Sequence, residues 1–578
     1  MAGIHPFDLQ ARVELGIRNL TALLDTSRPG QMYFLINWRT RPPRADHCLW
    51  DCGDGSGRHI DALTLARIMV KKGSPESQRS KEEEAIERWM FQLLGEDGLS
   101  WLPNEPWAEP WGTNVLLVDW HRGERAAEIS WAQRGTLLAL VSRYRATGES
   151  LYLRHAKRMV DALLAVAMRH PDGLFYPEGY YRPGGWRYQQ PHLHPGIEEY
   201  NAAVAIASVR LYEASGYEPA LNLAKGLIDF ALRHATGYTP DGAFRPPQGD
   251  LEGHFHTRTN FILSVLKLGL VLKQGDYIDW ARQYYEHAKT YGTDFGWFPE
   301  GLFLRHGEVC CFTDMIEMAL LLAKHVSPHY YADAERFGRN QLLESQFLSL
   351  ERLQQAVERI AENDEPPPWD GRFSRYAGVT ESQFGGFASR STLNDAFHLD
   401  APALMQCCNA AGVRALYDLW RYALDETFSE GALQVTVHLR FSVESPSVRV
   451  VSYEPREGRI DIHTRRPCRV LVRLPAGVEQ ARVKPTERPV YELQAQNGYI
   501  SMTLQEHETV SVHYPLPERI AHYEVGTSER PLRCTGYWRG ETLMRVEPAG
   551  LYYPLYQRSS DLEPAQPALP AGNPIESL

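Results

Sequence analysis

Three stretches of this chain repeat one another: YRATGESLYLRHAKRMVDALL from Tyr144, YEASGYEPALNLAKGLIDFAL from Tyr212 and LVLKQGDYIDWARQYYEHAK from Leu270. Each reads as the end of one helix, a glycine stop at Gly148, Gly216 or Gly275, and then an amphipathic helix with small and apolar residues at i, i+3, i+4 spacing. Stops about 60 to 70 residues apart mark one hairpin of two helices with its connections. The same periodicity predicts further helices near residues 8–25, 59–72, 81–95, 127–146, 197–214, 255–273, 309–326, 330–362 and 409–426. Paired helices of this kind stack into an open solenoid or close into a toroid. The joining loops are long and rich in Gly, Pro, Trp and Tyr, as in GYYRPGGWRYQQPHLHPG from Gly179. Long ordered loops on a helical scaffold usually carry function, which favours the toroid; the plainer alternative is surface loops with incidental aromatics.

After about Ser429 the period changes from helical to two. QVTVHLRFSV, SVRVVSYE, GRIDIHT, CRVLVRLP, YISMTL and TVSVHYP alternate, with PREG and PAG between them, and predict a β-sandwich. The expected organisation is therefore a mainly α toroid, an (α/α)6-barrel of helical hairpins, over residues 1–428, and an all-β sandwich over 429–558. The Pro- and Ala-rich segment 559–578 is expected to be a disordered tail.

Composition narrows the function. A net charge of -11 supplies no basic footprint for a phosphate backbone, so nucleic acid is not an expected partner. The start has no secretory pattern and no stretch holds the ~18 apolar residues that span a bilayer, so a cytoplasmic chain without membrane contact is expected. Eight cysteines in 578 residues are too sparse for a disulfide scaffold. Four of them form two doublets, and adjacent cysteines seldom suit a disulfide, because a relaxed bridge needs Cα atoms well beyond one peptide step.

Each doublet opens a helix. In RHGEVCCFTDMIEMALLLAK, Glu308, Cys310 and Cys311 lie just before or within the first turn, and in QCCNAAGVRALYDLWRYAL, Cys407 and Cys408 hold the same place. A thiol at a helix N-terminus sees the positive end of the dipole, which favours the thiolate that binds metal or attacks carbon. Glu308, Cys310, Cys407 and Cys408 would suit tetrahedral zinc. Buried cysteines that only pack the helix starts are the alternative. Cys52, Cys468 and Cys534 read as packing residues, and Cys311 competes with Cys310.

The pairing of Glu308-x-Cys310 with Cys407-Cys408, each opening a helix in a toroid followed by a sandwich, resembles glycoside hydrolase family 127, the β-L-arabinofuranosidase family. REGRIDIHTRRPCRVLVRLPAG and GYWRGETLMRVEPAGLYYPLYQR resemble its sandwich strands and its closing Trp-Arg-Gly segment, here Trp538 to Gly540. The likeness spans roughly residues 130 to 558. It implies a Zn2+ ion held by Glu308, Cys310, Cys407 and Cys408, and an exo-acting, retaining hydrolase in which Cys407 attacks the anomeric carbon of a carbohydrate. A thioglycosyl intermediate then replaces the ester formed by the carboxylate of ordinary retaining glycosidases. A homodimer is compatible with the chain.

The general acid and base is expected upstream of the Glu-x-Cys motif, at Glu300 or Asp294. Glu300 is favoured because Trp297, Phe298 and Phe303 nearby would raise its pKa by desolvation. GHFHTRTNF resembles a family segment whose histidine touches the sugar, which points to His254, then His256. At two helices where the family carries sugar-binding histidines, this chain has WAQRGTLLAL and EEYNAAVAIAS instead, which leaves Gln133, Arg134, Glu199 and Asn201 as replacements and weakens the arabinofuranose assignment. In LWDCGDGSGRHIDALTLAR, the lack of a following Lys-Ser/Thr argues against a phosphate loop. Trp50, Asp51, Asp54 and Arg58 are read there either as lining a sugar pocket or as a turn and helix cap.

Two rivals remain. Another carbohydrate-active toroid, such as a lyase or an unsaturated uronyl hydrolase, would work through paired acids or Tyr and His without zinc. A non-catalytic sugar-binding protein would use a closed, purely structural zinc site.

Overall fold

A computed structural model describes residues 5–28, 30–71, 73–103, 125–190, 197–235, 237–239, 244–245, 254–301, 305–360, 373–398, 403–429, 431–527 and 530–559. The expected tail therefore lies almost wholly outside the described residues, as do Phe303 and residues 191–196 of the long aromatic loop.

In chain order the main helices are α1 (Leu9–Ala22), α2 (Asp54–Met69), α3 (Lys81–Gln92), α4 (Trp131–Thr147), α5 (Ser150–Val166), α6 (Ile197–Ser215) and α7 (Glu218–His234). They continue with α8 (Phe255–Leu272), α9 (Gly275–Lys289), α10 (Val309–His325), α11 (Tyr331–Phe337), α12 (Leu350–Ile360) and α13 (Gln406–Arg421). α2 packs on α4, α4 on α6, α6 on α8, α8 on α10, α10 on α13, and α13 returns to α2, so the toroid closes. Ring helices are buried on nearly every side, as in Phe255–Gly269 of α8 and, Thr313 apart, Val309–Ala323 of α10. Helices outside the ring bury one stripe; α5 buries Tyr152, Ala156, Met159, Val160 and Leu163.

Glycines fix two features of this ring. α2 begins five residues before the predicted start, inside the glycine-rich stretch, because Gly57 lies against Gly135 of α4. A Cβ on Gly57 would come 2.2 Å from the Gly135 carbonyl carbon, and one on Gly135 would come 2.6 Å from the Gly53 carbonyl oxygen. Those glycines bring two helix backbones together rather than cradling a phosphate. Gly148 and Gly216 take positive φ at the helix ends, as expected, but the third stop falls elsewhere: Lys273 adopts the left-handed turn (φ 54°) and Gly275 opens α9.

The long helix predicted over 330–362 is broken. α11 passes through a π-helical turn at Gly338–Leu342, where Gly338 lets Leu419 of α13 pack closely, and α12 starts afresh with Ser349 capping Arg352.

Strands begin at Leu424, directly after α13. One sheet has the order 424–429, 432–437, 468–473, 499–504, and the other the order 443–444, 448–452, 459–464, 509–513, 480–485, 491–494. Alternating burial along Arg459–Thr464 and Gln480–Pro485 marks the faces that pack inward. A three-stranded meander, 518–527, 530–539 and 542–547, follows. Glu335 of α11, Arg339, Arg440, Arg473 and Glu454 form a buried network that ties toroid to sandwich.

Candidate metal centre

Two short strand pairs deliver the cysteine doublets. Ala403–Met405 pairs with Leu35–Asn37 and runs straight into α13, so Cys407 and Cys408 fall in its first turn. Gly307–Glu308 pairs with Arg390–Ser391 and runs into α10, which makes Glu308 the N-cap and places Cys310 one step inside. The Trp297 indole donates to the Ser391 carbonyl (3.0 Å) and fixes this second pair. Strand pairing sets where each helix can start, and the start sets which thiols point inward.

The donor atoms of Glu308, Cys310, Cys407 and Cys408 all lie within 4.8 Å of one another, and all four residues are buried. The Cys310 and Cys408 sulfurs are 3.6 Å apart, and the Cys408 thiol lies 3.8 Å from Glu308 Oε1. Zinc–sulfur bonds of about 2.3 Å meeting at tetrahedral angles require sulfurs roughly 3.7 Å apart, and the Cys310–Cys408 spacing matches that requirement. Cys311 stands outside the group and donates to Glu308 Oε2 at 3.5 Å.

Cys407 differs from its neighbours. It is 8% exposed where Cys310 and Cys408 are fully buried. Hydrogen bonds from the Cys310 and Cys408 thiols, aided by the Arg58 charge, hold its thiol down to about 5, whereas burial pushes Cys408 up. Arg58 Nη2 reaches Cys310 Sγ at 3.5 Å. The first turns of α2, α4, α8, α10 and α13 all contribute to this region, so their positive dipole ends converge on the cysteine cluster.

Other expected residues divide. The His254 imidazole, at the N-cap of α8, is 2.7 Å from Glu308 Oε2, and a donor atom of Glu300 lies within 4.8 Å of both. His256 Nδ1 is 2.7 Å from Asp314 and its ring stacks on Trp131, with centroids 5.2 Å apart. Asp54 is buried, 3.8 Å from Arg58, and burial raises its pKa. Gln133 faces away: its amide spends both ends on the Ser100 backbone and on the Glu128 carbonyl. Trp50 packs on Cys52, Leu93, Leu102 and Ala126, while Asp51 is bonded to His47 and Gln31. Glu199 and Asn201 sit in the first turns of α6, and their side chains lie outside the described residues.

The expectation that burial raises the Glu300 pKa is corrected. Burial does act that way, but His306 (2.7 Å) and a bidentate Arg390 (2.6 Å to each oxygen) outweigh it and hold the carboxyl at about 2. Asp294, the other candidate, is bonded to Arg519 and Tyr523 of the meander. Sequence reasoning missed Arg390, His306 and Asp314. Only His306, two residues before Glu308, carried a local signal.

One turn along α13 from Cys407, the ring encloses a cavity of about 50 Å³ lined by Arg58, Arg134, His256, Asn260, Asp314 and Ala410 among others. Among the described residues no helix is long and apolar enough to cross a membrane.

The fold recurs in solved structures. A glycoside hydrolase family 127 β-L-arabinofuranosidase from Geobacillus stearothermophilus T6 superposes with a TM-score of 0.54 at 14% identity, over 92% of this chain and 80% of that one. A second family 127 β-arabinofuranosidase gives 0.52 at 14% identity, over 92% and 79%. A third structure, described as a glycoside hydrolase, gives 0.51 at 13%, over 91% and 84%. At such identities the likeness establishes a shared (α/α)-toroid fold with a β-rich C-terminal region. No protein-family model matches the chain, and no curated protein does.

Proposed function

We propose that this chain is a zinc-dependent, retaining glycoside hydrolase of the family 127 type, exo-acting, with Cys407 as its nucleophile. The observation that carries the reading is the buried Glu308, Cys310, Cys407, Cys408 cluster in which Cys407 alone keeps a partly open face. The closed ring of α2, α4, α6, α8, α10 and α13 supports an (α/α)6 count, with residues 1–428 as the catalytic domain and 429–558 as the sandwich. Eight free, buried cysteines suit a reducing, cytoplasmic setting.

Zinc bound by these four residues would keep the thiols ionised at neutral pH and neutralise their accumulated charge. In the first step the Cys407 sulfur bonds to the anomeric carbon as the carbon–oxygen bond to the leaving group breaks, and the departing oxygen takes a proton. In the second, water displaces the sulfur and the configuration is restored. Proton transfer falls to Glu300 together with His306, which shares its Oε2: the ionised carboxylate suits the base role, and the imidazole supplies the proton that an ion-paired carboxylate lacks. Arg390 fixes the carboxylate's orientation.

Cys407→Ser tests the reading against its rivals in protein assayed for zinc and for glycoside cleavage. A loss of about a thousand-fold or more in kcat/KM with an unchanged circular dichroism spectrum is expected. Retained activity would favour a zinc-free toroid enzyme such as a lyase, and collapse of the fold a structural metal.

A further inference from the structure

We propose that the sugar taken by this site carries a carboxylate, and that Arg134 holds it inside the ring cavity. This rests on the hydrolase reading for the sugar but not for the anion. Arg134 sits in the first turn of α4, 3% exposed, with its guanidinium 4.5 Å from the Trp131 ring. Its Nε and Nη1 donate to nothing. Neighbouring cations along the cavity are matched: Arg414 with Asp61, Arg210 with Glu317 at 2.8 Å, and Arg58 with Asp54 and Cys310. Among the described residues no carboxylate lies within 4.0 Å of the Arg134 guanidinium; Asp54 and Asp314 act on it only from farther away. A buried, unpaired guanidinium is costly to keep, and its planar fork matches a carboxylate.

The groups beside it complete the recognition. His256 Nδ1 lies 2.7 Å from Asp314, and its Nε2 and Asn260 Oδ1 are buried without a partner. Both residues line the same cavity as Arg134. A guanidinium fork beside two unpartnered polar atoms fits a carboxylate next to hydroxyl groups, the chemistry of a sugar acid. A volume of about 50 Å³ admits a carboxylate arm and not a whole ring, so the ring itself would stay on the Cys407 side.

Calorimetric titration of the zinc-loaded protein with D-glucuronate and D-galacturonate, each against its neutral parent D-glucose or D-galactose, reads the preference. At least one acid is expected to bind about ten-fold tighter than its parent or better. Arg134→Gln is expected to bring that ratio to about one, and Arg134→Lys to keep part of it. Arg134→Met is expected to raise Tm, because it removes an unpaired buried cation, whereas a merely structural arginine would lower Tm when lost. Equal binding of acid and parent, binding of neither acid, or a preference that survives Arg134→Gln overturns the proposal. The hydrolase reading fails independently: if no neutral or acidic 4-nitrophenyl glycoside is cleaved while the acids bind through Arg134, the anion site stands and the hydrolase does not. Cleavage of the neutral β-L-arabinofuranoside with no acid preference gives the reverse result.

Discussion

Residue by residue, this protein depends on charges placed where water cannot reach them. Glu300 shows how neighbours override burial: desolvation argues for a raised carboxyl, and one arginine with one histidine reverses it. Glu300→Gln is therefore expected to lower kcat/KM by about 10²- to 10⁴-fold, with azide restoring turnover on activated glycosides; the absence of azide rescue would argue that Glu300 only positions other groups. His47 makes a separate test, away from the site. Burial alone would lower its pKa, yet Asp51 and Asp25, the latter 3.1 Å from Nε2, hold the imidazole up to about 8. A raised folded-state pKa means that its stabilisation is full below about 6.5 and disappears as pH rises through 8. We expect Tm to fall across that window and His47→Gln to remove the slope, at a cost of about 2 kcal/mol below it.

At the scale of elements, the ring helices are set by backbone contact as much as by apolar packing. Gly57 and Gly135 let α2 and α4 touch, and α2 in turn carries Asp54 and Arg58 to the site. Gly135→Val is expected to destabilise by about 3 kcal/mol or more, since the obstructing atoms are main chain and cannot rotate away. The register of the two short strand pairs matters for a different reason. It fixes the first residue of α10 and α13, and a one-residue slip would turn each thiol away from the cluster. Chelation should report this coupling under the zinc proposal: removing the metal is expected to lower Tm and expose thiols to reagent, with Cys407 reacting before its more buried neighbours.

For the whole molecule, the joint between toroid and sandwich is ionic. Despite burial, Arg440, Arg473 and Arg339 hold Glu335 at about 2, and Arg440 also binds Glu454 (2.8 Å), which accepts from Tyr514 at 2.7 Å. Glu335→Ala leaves three buried guanidinium groups short of a partner and is expected to cost about 3–5 kcal/mol in chemical denaturation. A lowered pKa reverses the sign seen at His47: the contribution of Glu335 is full above the ordinary carboxylate range and is lost as pH falls toward 2.

Periodicity and glycine punctuation were enough to read helical hairpins followed by a sandwich, because burial on one face leaves a repeating mark in the chain. The grouping of Glu308, Cys310, Cys407 and Cys408 was legible for a related reason, since each doublet sits beside its own helix start; a metal there was what the family resemblance implied. Gln133 was misread because spacing along a helix says which face a residue occupies and not whether backbone already satisfies it. The Glu300 environment and the cavity around Arg134 were beyond reach, since Arg390 meets Glu300, and Asp314 and Asn260 share the cavity with Arg134, only when distant segments close the ring. The sequence by itself determined the elements and the placing of the thiols at helix starts, which depend on near neighbours; the tertiary structure alone decided which charges are matched, because electrostatic partners are set by distance in space.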